Sequence, residues 1–292
     1  MRETLMMLAA LTRAEEYLPL ALQCRTENQF NLLHIHLENI LSPGELTYFV
    51  ELAETQQLPR QTCDWLRKIA GLSPGLFHSP QGFRRQALAD NVLFYQDPGP
   101  DVSEKTLLVG FSGNARRLMM PISVFLQCLD SRLWDVVLFR KGSNQGSYLK
   151  EGVEGLASNL PGVVQYVETA VSAKSYQRIM TLGTSGGGLP AILCAILMDA
   201  ARGISIGGVS PQSLFDPWLE WQLSAHRTYA TRRPELGYVY GANCEPDRAA
   251  ALSCQSTFGG RLHPITAVGD HNPLQGLLMS GRFSRFLNEL LA

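Results

Sequence analysis

The residue best placed for covalent chemistry is a serine between two glycines. Gly183, Ser185 and Gly187 form G-x-S-x-G between one apolar run at 179–182 and another at 189–198. A serine on a sharp strand-to-helix turn needs small residues two positions before and after it, because the neighbouring backbones approach closely. The turn would also place the serine at a helix N-terminus, which favours a developing oxyanion. The motif predicts nucleophilic acyl chemistry at Ser185.

A second interpretation of residues 183–188 is a glycine-rich turn that binds a phosphate at a helix N-terminus. No lysine follows the glycines as in a P-loop, and the spacing does not fit G-x-G-x-x-G. The same missing fingerprint argues against a dehydrogenase-like nucleotide binder. The serine interpretation is therefore favoured.

In this context the sequence resembles the α/β-hydrolase superfamily over roughly residues 90–292. Members carry their catalytic residues in the order Ser, Asp or Glu, His, on loops at the carboxyl ends of strands. Asp247 follows a predicted strand at 237–240, and His271 follows the last predicted strand in the sequence Gly-Asp-His. The resemblance implies that His271 takes the Ser185 proton while Asp247 fixes the imidazole tautomer.

Other assignments of the acid and base stay open at this stage. Asp247 could instead cap the helix that follows it, and His271 could be a histidine of a surface loop. Glu245 and Asp216 are the alternative acids, since Asp216 would suit families whose acid follows the preceding strand.

An oxyanion hole combines the N–H after the nucleophile with one from the loop after an earlier strand. Gly186 supplies the first by its position. The second is expected from the loop after the apolar run at 106–111, where Ser112 is the first choice and Gly113 and Asn114 come next.

Substrate contacts are expected from the same loop and from a later insertion. Arg116 and Arg117 could hold a carboxylate or phosphate of the substrate, although paired arginines are often simply solvated. Residues 211–234 are expected to form a short cap insertion. Its Trp218 could line an acyl pocket or pack on the core.

The hydrophobic pattern changes along the chain. Apolar residues recur every three or four positions over about 3–72, which predicts successive helices, one beginning with a capping box of Ser42 and Glu45. Later, β-rich apolar runs alternate with helix-length segments, which is typical of a mostly parallel sheet covered on both faces. The candidate strands are 92–95, 106–111, 135–139, 178–182, 205–209, 237–240 and 263–268.

We therefore predict an α/β fold of the α/β-hydrolase type, with a mostly parallel sheet flanked by helices and an N-terminal all-helical region. The turn-rich segment at 73–82 divides a helical region, 1–82, from a catalytic domain, 83–292. The helical region is expected to act as a cap or as a module that docks a protein partner.

Composition limits the remaining classes. The 25 Lys and Arg nearly balance the 26 Asp and Glu, so the protein has no strong net positive potential that would attract nucleic acid. We expect no metal, no cofactor and reduced cysteines, since the six cysteines are scattered and His34 and His36 face different directions on a helix.

The N-terminus does not resemble a signal peptide, and the longest apolar run is shorter than the roughly 20 residues that span a bilayer. A cytoplasmic protein is expected.

The function predicted from the sequence is a serine hydrolase that cleaves an acyl ester, thioester or amide through an acyl-serine intermediate. The substrate is expected to be a small molecule or a carrier-linked acyl group. An acyltransferase would use the same residues, and a non-catalytic binding protein on the same scaffold is the alternative from another class.

Overall fold

The computed structural model describes most of the chain. A run of helices comes first, and an alternation of strands and helices follows. The start of the first predicted helix and nearly all of the predicted cap insertion lie outside the described residues. Those residues are 14–55, 58–142, 147–211, 233–266 and 269–292.

The N-terminal part is helical, as the spacing of its apolar residues predicts. Ser42 and Glu45 form the predicted capping box, in which each side chain accepts a hydrogen bond from the other residue's backbone N–H. Thr26 and Gln29 form a second one. The helices are α1 (Tyr17–Ala21), α2 (Glu27–Glu38), α3 (Pro43–Thr55) and α4 (Arg60–Leu72).

The described strands form one eight-stranded sheet in the order β1-β2-β4-β3-β5-β6-β7-β8. The β1–β2 and β2–β4 pairs are antiparallel, and the other neighbours are parallel. Strands β2 to β8 overlap the predicted runs, which confirms the mostly parallel sheet. The strands are β1 (Arg84–Ala89), β2 (Val92–Gln96), β3 (Thr106–Phe111), β4 (Trp134–Phe139), β5 (Arg178–Thr184), β6 (Arg202–Ile206), β7 (Glu235–Gly241) and β8 (Arg261–Ile265).

Strand β1 is absent from the sequence prediction for a physical reason. It is an edge strand that pairs only with β2 among the described strands, and no residue in it is fully buried. It begins with Arg84 and Arg85, so it lacks the apolar run by which a buried strand is recognised.

Helices cover both faces of the sheet and bury one apolar core on each. The alternation of side chains along β3 sends Leu108 into one core and Leu107 and Val109 into the other. The remaining helices are α5 (Ile122–Leu126), α6 (Tyr148–Glu151), α7 (Leu160–Ala170), α8 (Gly188–Leu197), α9 (Glu245–Phe258), α10 (Pro273–Met279) and α11 (Phe283–Leu291). No helix among the described residues is long and apolar enough to cross a membrane.

Helices α1 to α4 share the core of one sheet face with α5, α10 and α11. Polar contacts tie them to the same face: the buried Tyr95 hydroxyl donates to the Ile40 carbonyl at 2.7 Å, and the Arg85 guanidinium donates to both carboxylate oxygens of Glu45. The predicted boundary at residue 82 falls between α4 and β1. Because the core is continuous across it, these helices are part of the cover of the sheet.

Candidate active site

Ser185 lies on a tight turn between β5 and α8. Its φ is +51°, in the left-handed region that non-glycine residues seldom adopt. The flanking glycines make the turn possible: a Cβ on Gly183 would lie 1.9 Å from the Gly187 carbonyl oxygen, and a Cβ on Gly187 would lie 2.3 Å from that of Phe111. The sequence folds here as a nucleophile elbow, with the serine held at the carboxyl edge of the sheet.

The hydroxyl of Ser185 meets a histidine that contacts a carboxylate. His271 Nε2 lies 2.9 Å from Ser185 Oγ, and its Nδ1 lies 2.8 Å and 3.0 Å from the two Asp247 carboxylate oxygens. The Asp247 side chain is nearly buried, whereas the His271 side chain is 53% exposed. A hydrogen-bonded line therefore runs from a buried carboxylate through an accessible imidazole to the serine.

The elements that follow the last two strands deliver the acid and the histidine. Asp247 is in the first turn of α9, after β7, and His271 is in the short connection between β8 and α10. Gly207, after β6, allows them to meet: its φ is +54°, and a Cβ there would lie 3.0 Å from the His271 carbonyl oxygen and 3.3 Å from Asp247 Oδ2. Any side chain at this position would crowd the pair.

The alternative acids fare differently. The Glu245 side chain is 79% exposed, and its contact is an ion pair with Arg248 at 3.7 Å. Asp216 lies outside the described residues, as does Trp218. Of the described carboxylates considered, Asp247 is the one that reaches His271.

Ser185, Asp247 and His271 thus follow β5, β7 and β8 in chain order, at one edge of a mostly parallel sheet. The chain has the α/β-hydrolase fold. No family model matches the chain, and no curated protein matches its sequence.

Solved structures similar to this chain include three of comparable TM-score. Est1E from Butyrivibrio proteoclasticus is 15% identical, and the match covers 72% of this chain and 99% of that one at a TM-score of 0.48. Dienelactone hydrolase from Anabaena variabilis is 14% identical, with 72% and 98% covered at 0.48. The 2,6-dihydroxy-pseudo-oxynicotine hydrolase is 14% identical, with 97% and 87% covered at 0.48. At this identity the substrate of the present chain has to be inferred from its own side chains.

The expected oxyanion donor in the β3 loop needs a correction. The backbone N–H of Ser112 donates to the Phe139 carbonyl at 2.9 Å. This hydrogen bond extends the pairing of β3 with β4, so the Ser112 N–H is not available to an oxyanion at Ser185. Gly113 is adjacent to the nucleophile instead: a Cβ there would lie 2.9 Å from Ser185 Cβ and 3.6 Å from Ser185 Oγ. Gly113 replaces Ser112 as the partner of Gly186 in the candidate oxyanion hole.

Ser112 instead supports the loop from below. Its buried hydroxyl contacts the Tyr148 hydroxyl at 3.2 Å and accepts from the Lys141 backbone N–H at 3.1 Å. Burial raises the pKa of Tyr148 above its ordinary value, so the phenol stays neutral and donates to the Phe139 carbonyl. These bonds link the ends of β3 and β4.

The two arginines expected to bind substrate are engaged by the protein itself. Arg117 forms an ion pair with Glu38 at the end of α2, and Arg116 Nη2 donates to Asn91 Oδ1 at 2.7 Å. Glu38 also accepts from the Trp65 indole N–H at 3.0 Å. Both guanidinium groups anchor the loop, and binding of a substrate anion by Arg116 or Arg117 stays a prediction.

A cation that the sequence analysis missed lies beside this loop. Lys141, just after β4, donates from Nζ to Asn114 Oδ1 at 2.7 Å. The available signal was the one that found the other site residues, a polar side chain directly after a buried strand at the carboxyl edge. The local sequence does not predict that β3 and β4 pair in parallel. It therefore does not predict that the loop of Lys141 lies beside the loop of Asn114.

An open groove lies next to the histidine. Its volume is about 750 Å³, and the described residues that line it include Gly208, Ser253, Thr257 and His271. Within the described part of the chain, no group of three or more His, Cys, Asp and Glu side chains is arranged to hold a metal ion.

Proposed function

We propose that this protein is a serine hydrolase that cleaves a small-molecule acyl ester, thioester or amide through an acyl-Ser185 intermediate. The observation that carries the proposal is the hydrogen-bonded line from Asp247 through His271 to Ser185, on an elbow with a positive φ at the serine. A binding scaffold would gain nothing from this alignment, whereas acyl transfer requires each member of it.

Each group has a defined role in the proposed reaction. His271 Nε2 accepts the Ser185 proton as Oγ attacks the carbonyl, and the negative charge moves to the carbonyl oxygen. The backbone N–H groups of Gly186 and Gly113 stabilise that oxyanion. The imidazolium, held by Asp247, then returns the proton to the leaving group. Water, deprotonated by the same imidazole, releases the acyl group.

Hydrolysis is proposed over acyl transfer because the histidine is accessible. With respect to the described residues, the His271 side chain is 53% exposed. Water can therefore approach the imidazole that would activate it against the acyl-enzyme. An acyltransferase, including one that uses a carrier-linked acyl group, would share the first half of the reaction. Adding an alcohol, amine or thiol to the assay distinguishes the two, since an acyltransferase diverts the acyl group from water.

The test uses the full chain and a panel of 4-nitrophenyl esters and acyl thioesters. Ser185→Ala and His271→Ala should each lower kcat/KM by about a thousand-fold or more, and Asp247→Asn by about a hundred-fold or more. Ser158→Ala, which removes an exposed hydroxyl from the segment before α7, is the control and should keep full activity. Activity that survives Ser185→Ala in folded protein would contradict the proposed mechanism.

A further inference from the structure

Two side chains form a donor-rich edge beside the candidate oxyanion hole. The Lys141 ammonium donates to Asn114 Oδ1 at 2.7 Å, and that oxygen lies 3.8 Å from the position a Cβ would take on Gly186. The parallel pairing of β3 and β4 brings the loops of Asn114 and Lys141 together. The ammonium is thus one hydrogen bond away from the residue that follows the nucleophile.

The Lys141 ammonium forms no ion pair within the described part of the chain. No described carboxylate oxygen lies within 4.0 Å of its Nζ, in contrast to Arg117, which is paired with Glu38. The Glu154 carboxylate lies beside the backbone of Gly142, the residue after Lys141, but it forms no ion pair with the Lys141 ammonium. No described side chain therefore neutralises the Lys141 ammonium through a direct ion pair.

The balance of hydrogen-bonding groups points the same way. An ammonium has three donors and a primary amide has two N–H donors and one acceptor. The amide oxygen of Asn114 is occupied by Lys141, which leaves further N–H donors on both groups. Lys141 is also partly buried, so solvent screens its charge less than it would on an open surface.

We propose that Lys141, together with Asn114, binds a carboxylate of the substrate that is attached close to the scissile carbonyl. This inference rests on the proposed function, and it names the substrate class as acidic esters or thioesters. The ammonium would bind the carboxylate in place of, or in addition to, the Asn114 oxygen. Charge-assisted hydrogen bonds of this kind are the stronger ones in proteins.

The test compares matched esters that differ at one group, which is neutral in one ester and a carboxylate in the other. For the acyl side the pair is 4-nitrophenyl hexanoate and mono-4-nitrophenyl adipate, in which a carboxylate replaces the terminal methyl group. For the leaving-group side the pair is the butyrate ester of 4-carbamoylphenol and that of 4-carboxyphenol. Each pair is measured with the wild type, Lys141→Met, Lys141→Arg and the control Lys150→Met, which removes an exposed lysine of α6.

We expect the wild type to prefer the acidic ester of at least one pair. Lys141→Met should raise KM for that ester about ten-fold or more, and the ratio of kcat/KM for the acidic ester to kcat/KM for the neutral ester should fall by the same factor. Lys141→Arg should retain most of the preference, and Lys150→Met should retain all of it.

Two results would overturn the inference and leave the proposed function intact. One is a wild type that cleaves the neutral esters and shows no preference for either acidic ester. The other is a Lys141→Met variant that loses kcat equally on charged and neutral esters, which would make Lys141 a positioning residue for Asn114. If the wild type cleaves none of the esters and Ser185 resists acylation, the proposed function fails and the inference fails with it.

Discussion

At the scale of single residues, the backbone of Ser185 is held in a conformation that is unfavourable for an L-residue. A left-handed residue other than glycine costs on the order of 1–2 kcal/mol. The sheet and α8 hold it there, because Gly183 and Gly187 let the strand and the helix backbones approach. The strain presents Oγ to His271.

A methyl group at Gly113 should disturb the reaction more than the fold. In Gly113→Ala the Cβ would lie 2.9 Å from Ser185 Cβ and 3.1 Å from the Thr184 carbonyl oxygen, so the loop after β3 must move. We expect kcat/KM to fall by about a hundred-fold, the typical effect of losing one oxyanion donor.

The control for this substitution is Gly71→Ala, in α4, where a Cβ would meet no atom within 4 Å. It should leave kcat/KM unchanged and stabilise the helix by about 0.5–1 kcal/mol. Equal kcat/KM for Gly113→Ala and the wild type would remove Gly113 from the oxyanion hole.

The sequence predicts candidate site residues where residue type and position after a strand suit a chemical role. Ser185, Asp247 and His271 are predicted in this way, and the structure brings their side chains together. Two contacts cannot be predicted from local sequence, because their partners are distant in the chain. These are the hydrogen bond from the Ser112 N–H to the Phe139 carbonyl and the ion pair of Arg117 with Glu38.

At the scale of elements, the end of α2 holds the loop that carries Gly113. Glu38 pairs with Arg117, and the Asn39 side chain donates to the Ala115 carbonyl at 3.1 Å. From the other side, the Asn272 side chain donates to the Met119 carbonyl at 3.1 Å. The loop between β3 and α5 is thus fixed by an N-terminal helix and by the neighbour of His271.

The contact between α2 and this loop can be measured with a double-mutant cycle. Glu38→Ala, Arg117→Ala and the double variant should give a coupling free energy of about 1–3 kcal/mol in urea unfolding, because the pair is largely shielded from solvent. Arg67→Ala with Asp64→Ala, an exposed pair on α4, should couple by less than about 0.5 kcal/mol. Equal coupling in both cycles would contradict an anchoring role.

The N-terminal helices should also make stability depend on pH. His34 is buried against the Trp65 ring and lies 3.2 Å from the Tyr17 hydroxyl, and burial followed by the charge of Lys68 lowers its pKa to about 4. The unfolded chain, with a histidine pKa of about 6.5, therefore binds the proton more readily. The free energy of unfolding should fall by on the order of 3 kcal/mol as the pH drops from about 6.5 to about 4.

Urea unfolding across this pH range tests the prediction. His34→Gln should flatten the pH slope, whereas His78→Gln, in the turn before β1, should leave it unchanged. An unchanged slope in His34→Gln would exclude His34 as the source of the pH dependence.

Element prediction succeeded where burial leaves a periodic pattern. The helices α2 to α4 and the strands β2 to β7 each bury apolar residues in a pattern that is visible in the local sequence. The edge strand β1 buries no residue fully, and the helices α6 and α10 have only 4 and 7 residues, so their sequences give no comparable pattern.

At the scale of the whole molecule, the N-terminal helices and the sheet share one apolar core. Phe49 and Trp65 belong to the same buried cluster as Tyr95 and Leu108 of the sheet. A separate docking module would have a hydrophobic core of its own, distinct from the core of the sheet.

Removal of residues 1–82 should therefore unfold the rest of the chain. The deletion exposes the apolar face that α1 to α4 cover, and we expect the remaining protein to aggregate or to lose cooperative thermal unfolding. Circular dichroism and size-exclusion chromatography check this against the full chain. A folded, monomeric fragment of 83–292 would contradict the shared core and favour a separate module.

Covalent labelling with a fluorophosphonate is the direct test of whether Ser185 is an activated nucleophile. The measurement is intact mass and peptide mapping of the wild type, Ser185→Ala, His271→Ala and the control Ser158→Ala. We expect one label per wild-type chain on Ser185, equal labelling of Ser158→Ala, and no label on the other two variants. Absence of labelling on folded wild-type protein, or labelling that persists in Ser185→Ala, would contradict this role of Ser185.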